Sequence, residues 1–149
     1  MKTTTDIAKK KLIREFIRKH TLAVISTVTD QNTPEAAVIE FGDTDTLELI
    51  FDTFSTYRKY NNLQHNTHVA FVIGWDENIT VQYEGKAYEL VGEEQKTYKQ
   101  IYFAKNPKAK KWEKKPEIRY FKVIPQWIRY SNLNVDPWEI HEVTFRGVA

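Results

Sequence analysis

The chain has 149 residues, the usual size of one domain, and a domain of roughly this length buries about 68–70% of its unfolded surface without staples. It contains no cysteine, which excludes disulfides, thiolate metal sites and a thiol nucleophile and fits a reducing compartment. A net charge of +2 is too small to argue for a polyanionic partner. No apolar run approaches a membrane span or a signal core, so the expectation is one cytoplasmic domain over 1–149.

Residues 4–20 predict a helix. Leu12, Ile13, Phe16 and Ile17 form one apolar stripe, with Lys9, Lys10, Arg14 and Arg18 largely off it. Thr5 or Asp6 can cap its start, and Arg18, Lys19 and His20 suit its end. The expected role is to plug one end of a barrel; the stripe is too small for a membrane-surface helix. Residues 22–29 and 35–42 predict two strands of a hairpin. Asn32, in the turn between them, tolerates positive φ, and Pro34 ends the turn. Ala36 and Ala37 leave room beside the second strand.

Residues 47–52 alternate like a third strand. Residues 55–66 are too polar for a core strand and free of Gly and Pro, so a short helix fits, and 69–73 alternate again. After a turn at 74–78, residues 79–91 predict a long strand in which Gly85 marks a bulge or sharp bend, a device that closes small barrels. Residues 93–105 predict a second amphipathic helix, with Tyr98, Ile101 and Tyr102 on one side and Glu93 and Glu94 at its favourable end. From Lys105 to Pro116 the chain carries six lysines and a single acid, Glu113. A flexible, solvated connection is favoured there over a lid or a nucleic-acid patch, which needs a broader basic surface. Residues 117–130 predict a strand with Pro125 at an edge or bend, and 138–145 a last short strand. The sum is a small antiparallel β-barrel of six to seven strands with flanking α-helices.

The start of the 55–66 helix breaks a local rule. Ser55 and Thr56 suit an N-cap, yet Arg58 and Lys59 then fall in the first turn, where cations oppose the helix dipole at a cost of about 0.3–1 kcal/mol each. An anion at that helix end removes the conflict, because free N–H groups, hydroxyls, a guanidinium and an ammonium then converge on one phosphate. The other reading turns both side chains back into water. Residue types alone leave the two open.

Other constellations carry less. His65 and His68 lie three apart, but a metal site needs further ligands and none is evident; His20 and His141 stand alone, so no metal is expected. There is no G-x-S-x-G elbow, no G-x-G-x-x-G and no G-x-x-x-x-G-K-[ST]. With no protein-based catalytic set in view, catalytic residues stay unassigned, which fits a protein whose cofactor carries the chemistry.

Thr53, then Arg58-Lys59, Leu63, and Asn66 followed by Val69-Ala70, resembles the T-x-x-x-S-R-K…L…N-P…A pattern of the pyridoxamine 5′-phosphate oxidase family, the FMN-binding split β-barrels. Tyr57 stands where that family usually has Ser, and Thr67 where it usually has Pro. The likeness in element order runs from about Ile13 to Tyr130. It implies a homodimer with two FMN sites at the interface, each built from both subunits. It also implies that Arg58 and Lys59, helped by Ser55 or Thr56, hold the FMN phosphate. Thr53 and the strand at Val38 and Ile39 would line the ring, Thr80 would touch it, and Trp127 would approach it from the other subunit. Trp127 also reads as a core or interface residue. The implied activity is an FMN-dependent redox reaction on a small molecule. The alternative is a protein that stores or senses FMN, F420 or haem without turnover, since relatives differ in cofactor.

Overall fold

The computed structural model describes residues 5–146; residue 4 of the expected first helix lies outside them. Helix α1 (Asp6–Arg18) starts at Thr5, whose Oγ1 accepts the Ala8 N–H at 3.2 Å, so the first of the two expected caps is used. Ile13 and Ile17 are fully buried, and Leu12 and Phe16 pack beside them. The stripe therefore seats α1 on the interior core, while its basic residues face outwards or to acids.

Among the described residues eight strands make one sheet: β1 (Leu22–Val28), β2 (Pro34–Glu40), β3 (Gly42–Asp43), β4 (Leu49–Phe54), β5 (His68–Ile73), β6 (Ile79–Glu89), β7 (Ile118–Asn132) and β8 (Glu139–Thr144). Their order is β2-β1-β5-β6-β7-β4-β3, with β8 also on β7, and every pairing is antiparallel. The sheet curls into a split β-barrel with flanking helices, as the sequence implies. The remaining helices are α2 (Arg58–His65), α3 (Gly92–Lys105) and a 3-10 turn at Pro107–Trp112. Among the described residues no helix is long and apolar enough to cross a membrane.

The curl depends on the long strands. The β6–β7 register shifts at Glu84/Gly85, where Glu84 faces Trp127 and Gly85 faces Pro125. Gln126 is the extra residue of a bulge. Pro125 lies where β7 has only β6 beside it, because the β4 pairing stops at Val123 and the β8 pairing starts at Trp127. A Cβ on Gly85 would collide with the Ile124 carbonyl oxygen, so only glycine permits this approach.

Alternation along the strands separates two cores. Leu49, Phe51, Phe71, Val81, Tyr83 and Val123 fill the inside of the curl. On the other face, Ile50 and Tyr120 meet Leu90, Tyr102 and Ala109 under α3 and the 3-10 turn. Tyr102 does face inwards as expected, but Ile101 is exposed and Phe103 packs in its place beside Tyr98.

The third strand begins at Leu49 rather than 47. Leu47 is buried yet adopts φ 66°, a left-handed conformation that ends extended pairing. Its strain is held by the core around its side chain and by the Tyr83 hydroxyl, which donates to the Leu47 carbonyl at 2.8 Å. Asn32 also has positive φ, 62°, as its turn requires. The buried Asp43 of β3 joins α1 to α3, accepting from Arg18 Nε at 3.1 Å and from Lys105 Nζ at 2.7 Å.

Candidate functional site

The broken rule at the second helix persists in space, in a sharper form. The N-cap of α2 is Tyr57, which offers no capping side chain, and no acid lies in the first turn. Ser55 and Thr56 fall two residues and one residue too early to cap. Ser55 instead gives its N–H to the Glu117 carbonyl at 2.8 Å, across to the start of β7. Tyr57 and Tyr60 give their N–H groups to the Phe54 and Tyr57 carbonyls, which leaves the Arg58 and Lys59 N–H groups of the first turn without a side-chain cap.

Two hollows meet at this helix end. The first, about 340 Å³, is lined by Ile25, Thr27, Glu35, Ala36, Ala37, Thr56, Tyr57, Arg58 and Lys59. The two alanines of β2 make the room the sequence suggested. The second, about 410 Å³, runs along β2 and β4 past Val38, Ile39, Asp52 and Thr53, with Tyr102 and Lys108 further along and Trp112 on its wall. Tyr57 and Lys59 line both, so they form the partition.

The charges at this helix start are not free in water. Arg58 Nη1 lies 2.8 Å from Glu35 Oε2. Lys59 is half-buried, and burial lowers its pKa against the opposing pull of Asp52. Its ammonium sits 5.5 Å from the centre of the Tyr57 ring, and that ring packs edge-on against Phe54.

A cluster of poorly satisfied polar atoms lies at and behind the wall of the second hollow. Asp52, on β4, lies directly opposite Tyr120 of β7. Asp52 Oδ2, Thr53 Oγ1 and the Tyr120 hydroxyl are buried without a hydrogen-bond partner. Burial pushes the Asp52 carboxyl up to about 6, with the Tyr102 hydroxyl opposing and Glu40 adding to the rise. The same carboxylate raises Tyr102, whose phenol is first of all penalised by burial. Tyr120 rises to about 12 for the same two reasons. Natural proteins leave few such atoms unpaired, and those they leave are concentrated where chemistry or ligands occur.

Of the residues implied by the sequence, the fold gathers Arg58, Lys59 and Thr56 at the first hollow and Lys59, Thr53, Val38 and Ile39 at the second. Val38 is well exposed, whereas Ile39 is almost wholly core. Ser55 lines neither. Thr80, on β6, is opposite Ser131 and lies in a separate surface hollow with Ala70 and Val72. Trp127 is half-buried between Glu84 of β6 and Thr144 of β8. Within one chain, neither Thr80 nor Trp127 lines either hollow.

Glu35, Asp52, Tyr102 and the 3-10 turn escape a sequence reading. Asp52 has a local signal, an acid directly before Thr53 in an otherwise apolar strand. The lysine-rich stretch is not a solvated connection throughout. Ala109 is buried in the second core, Trp112 packs edge-on against Phe54, and Lys108 and Lys111 line the second hollow. One small apolar residue among lysines is enough to dock a 3-10 turn, and composition hides it.

The same fold occurs in solved structures. The haem binding protein of Mycobacterium smegmatis aligns with a TM-score of 0.78 at 13% identity, over 97% of this chain and 60% of that one. A provisionally assigned pyridoxamine 5′-phosphate oxidase of Listeria innocua gives 0.70 at 23% identity, over 85% of this chain and 99% of that one. The haem storage protein HutZ of Vibrio cholerae gives 0.64 at 16% identity, over 78% and 89%. This chain therefore spans about 60% of the first of these and nearly all of the second. A comparison with curated protein sequences finds no match. The pyridoxamine 5′-phosphate oxidase family model matches residues 10–132, through both hollows and every strand but β8, and the chain belongs to that family.

Proposed function

We propose that the paired hollows bind FMN and that the protein is an FMN-dependent oxidoreductase acting on a small molecule. The observation that carries this is the uncapped start of α2, where Lys59, partly desolvated, walls both hollows at once. A phosphoester at that end receives free N–H groups, the Thr56 hydroxyl and two cations, the arrangement that favours anions at helix starts. The second hollow then takes the ring, with Val38 and Ile39 along one side and Trp112 and Tyr57 as aromatic walls. The unpaired Thr53 Oγ1 and Asp52 Oδ2 support the fit, since polar atoms buried without partners are costly until a ligand relieves the cost.

FMN supplies the redox chemistry when bound; this chain's residues bind, orient and exclude water. Arg58, Lys59 and Thr56 hold the phosphate end. Asp52, near half-ionised at pH 6, holds or releases a proton at its carboxyl within the second hollow. Trp112 and Phe54 keep water from the wall. In this reading the molecule works as a homodimer, and Thr80 and Trp127 contribute from outside the single-chain hollows.

A second reading, a haem-binding protein without turnover, draws on the names of two structures with this fold. Against it, no histidine lines either hollow among the described residues, so an iron there lacks the commonest protein ligand. Reconstitution with FMN and with haem, followed by visible spectroscopy, separates the two. Flavin bands retained by the wild type and lost in the Arg58→Glu, Lys59→Glu double variant, with the far-UV spectrum unchanged, support the proposal. Equal flavin retention by both proteins overturns the site, and a Soret band with no flavin uptake favours the second reading.

A further inference from the structure

The first hollow contains an anion of its own. Glu35 lies on β2 directly opposite Thr27 of β1, and both line that hollow with Arg58. Its carboxylate is held from beneath: Asn62 Nδ2 donates to Glu35 Oε1 at 2.8 Å and to Thr27 Oγ1 at 2.9 Å. Asn62 is 3% exposed and Thr27 is 2% exposed, so this support is fixed in the core. The other carboxylate oxygen takes the Arg58 guanidinium at 2.8 Å; the Arg58 side chain is 77% exposed and that of Glu35 only 18%. The long exposed side chain has therefore been drawn to the fixed anion, and not the reverse.

We propose that Glu35 is a selectivity residue: a built-in competitor that neutralises Arg58 and weakens the first hollow for a phosphate dianion. The inference rests on the reading of that hollow as the phosphate end of the flavin site. Glu35 acts in two ways. It takes up one of the two donor edges a phosphoester needs from the guanidinium. It also places a like charge beside the incoming dianion, in a partly desolvated recess where charges are weakly screened. Lys59, on the partition and not the cation paired with Glu35, is then left as the main phosphate cation. The chain consequently discriminates between phosphorylated and unphosphorylated flavin less than an unopposed Arg-Lys pair would.

The test is Glu35→Gln, which keeps an acceptor for Asn62 and removes the charge. Affinities for FMN and riboflavin are measured by flavin fluorescence quenching on wild type and variant, each checked by circular dichroism. The expected result is about a tenfold gain for FMN, the scale of one charge-assisted contact, with riboflavin unchanged. Arg58→Gln added to each background should cost FMN affinity more in the Glu35→Gln protein than in the wild type. An unchanged or smaller FMN-to-riboflavin ratio overturns the proposal, as does equal loss of both ligands, which marks a purely structural tie. If neither protein takes up FMN, the functional reading fails, and inorganic phosphate decides this inference on its own. Phosphate must then raise the melting temperature of Glu35→Gln more than that of the wild type; equal shifts overturn it.

Discussion

Asp52 to Asn should stabilise the protein at neutral pH and do little for it in acid. Burial raises the folded carboxyl from 3.8 to about 6, so ionising it costs the folded state more than the unfolded chain. Below about pH 3.8 both states are protonated and there is no penalty. As pH rises from 3.8 to 6, the unfolded chain ionises first, and stability from this group falls. Above 6 the penalty is complete. At about 1.36 kcal/mol per unit of pKa, the difference of about two units makes the pH-dependent part roughly 3 kcal/mol. Asparagine keeps the shape and an acceptor for Tyr102 but never carries the charge. Urea unfolding followed by tryptophan fluorescence at pH 3.5 and pH 7.5 tests it. The stability of the variant relative to wild type should rise by about 2–3 kcal/mol between those two conditions. A difference that is flat with pH, or that falls towards neutrality, would show that the ionised carboxylate is well served by Lys59 and that burial is not the dominant influence.

Three other substitutions probe the parts around it. Lys59→Met should lower FMN affinity by about tenfold or more, the loss of one charge-assisted contact. The urea midpoint of the ligand-free protein should not fall, since burial already disfavours the Lys59 ammonium; a midpoint drop without affinity loss refutes its role as a phosphate cation. Asp43→Asn removes the negative charge shared by Arg18 and Lys105 and should cost about 3 kcal/mol, because it leaves a largely buried ammonium without its counter-charge; urea titration at pH 7 checks it. Gly85→Ala drives a methyl into the Ile124 carbonyl and should cost about 2–4 kcal/mol; a cost under about 1 kcal/mol in the same titration would mean that the bulge relaxes easily.

What the sequence disclosed was what periodicity and local chemistry encode. The apolar stripe of α1, the bulge at Gly85 and the positive φ of Asn32 each follow from one residue type in one local pattern. Arg58 and Lys59 stood out because they contradict the dipole of their own helix. What stayed hidden depends on contacts distant in the chain. Glu35 meets Arg58 and Asn62 only after β2 folds beside α2. Asp52 acquires its environment from Tyr120 on β7 and Tyr102 on α3. Leu47 adopts a conformation that its β-friendly neighbours argue against, and its place in the core decides the matter.

These long-range pairings share a logic. Each cation of the Arg-Lys pair is opposed by one carboxylate, Arg58 by Glu35 through a direct contact and Lys59 by Asp52 through the field alone. The charges of the Arg-Lys pair at the start of α2 are therefore close to balanced in the ligand-free chain, although that stretch of sequence reads as basic. Neutrality lowers the cost of holding two cations at an uncapped helix start, which the dipole rule makes unfavourable. It also makes ligand charge the deciding variable, because a dianion must displace or outweigh Glu35, while the ring beyond the partition meets Asp52, whose own charge changes near pH 6. Riboflavin affinity, which is free of the phosphate's own second ionisation near pH ~6, measured between about pH 5 and 8 should therefore change around that value in the wild type and lose that inflection in Asp52→Asn. An identical profile in the two proteins would separate Asp52 from the flavin and confine the coupling to the first hollow.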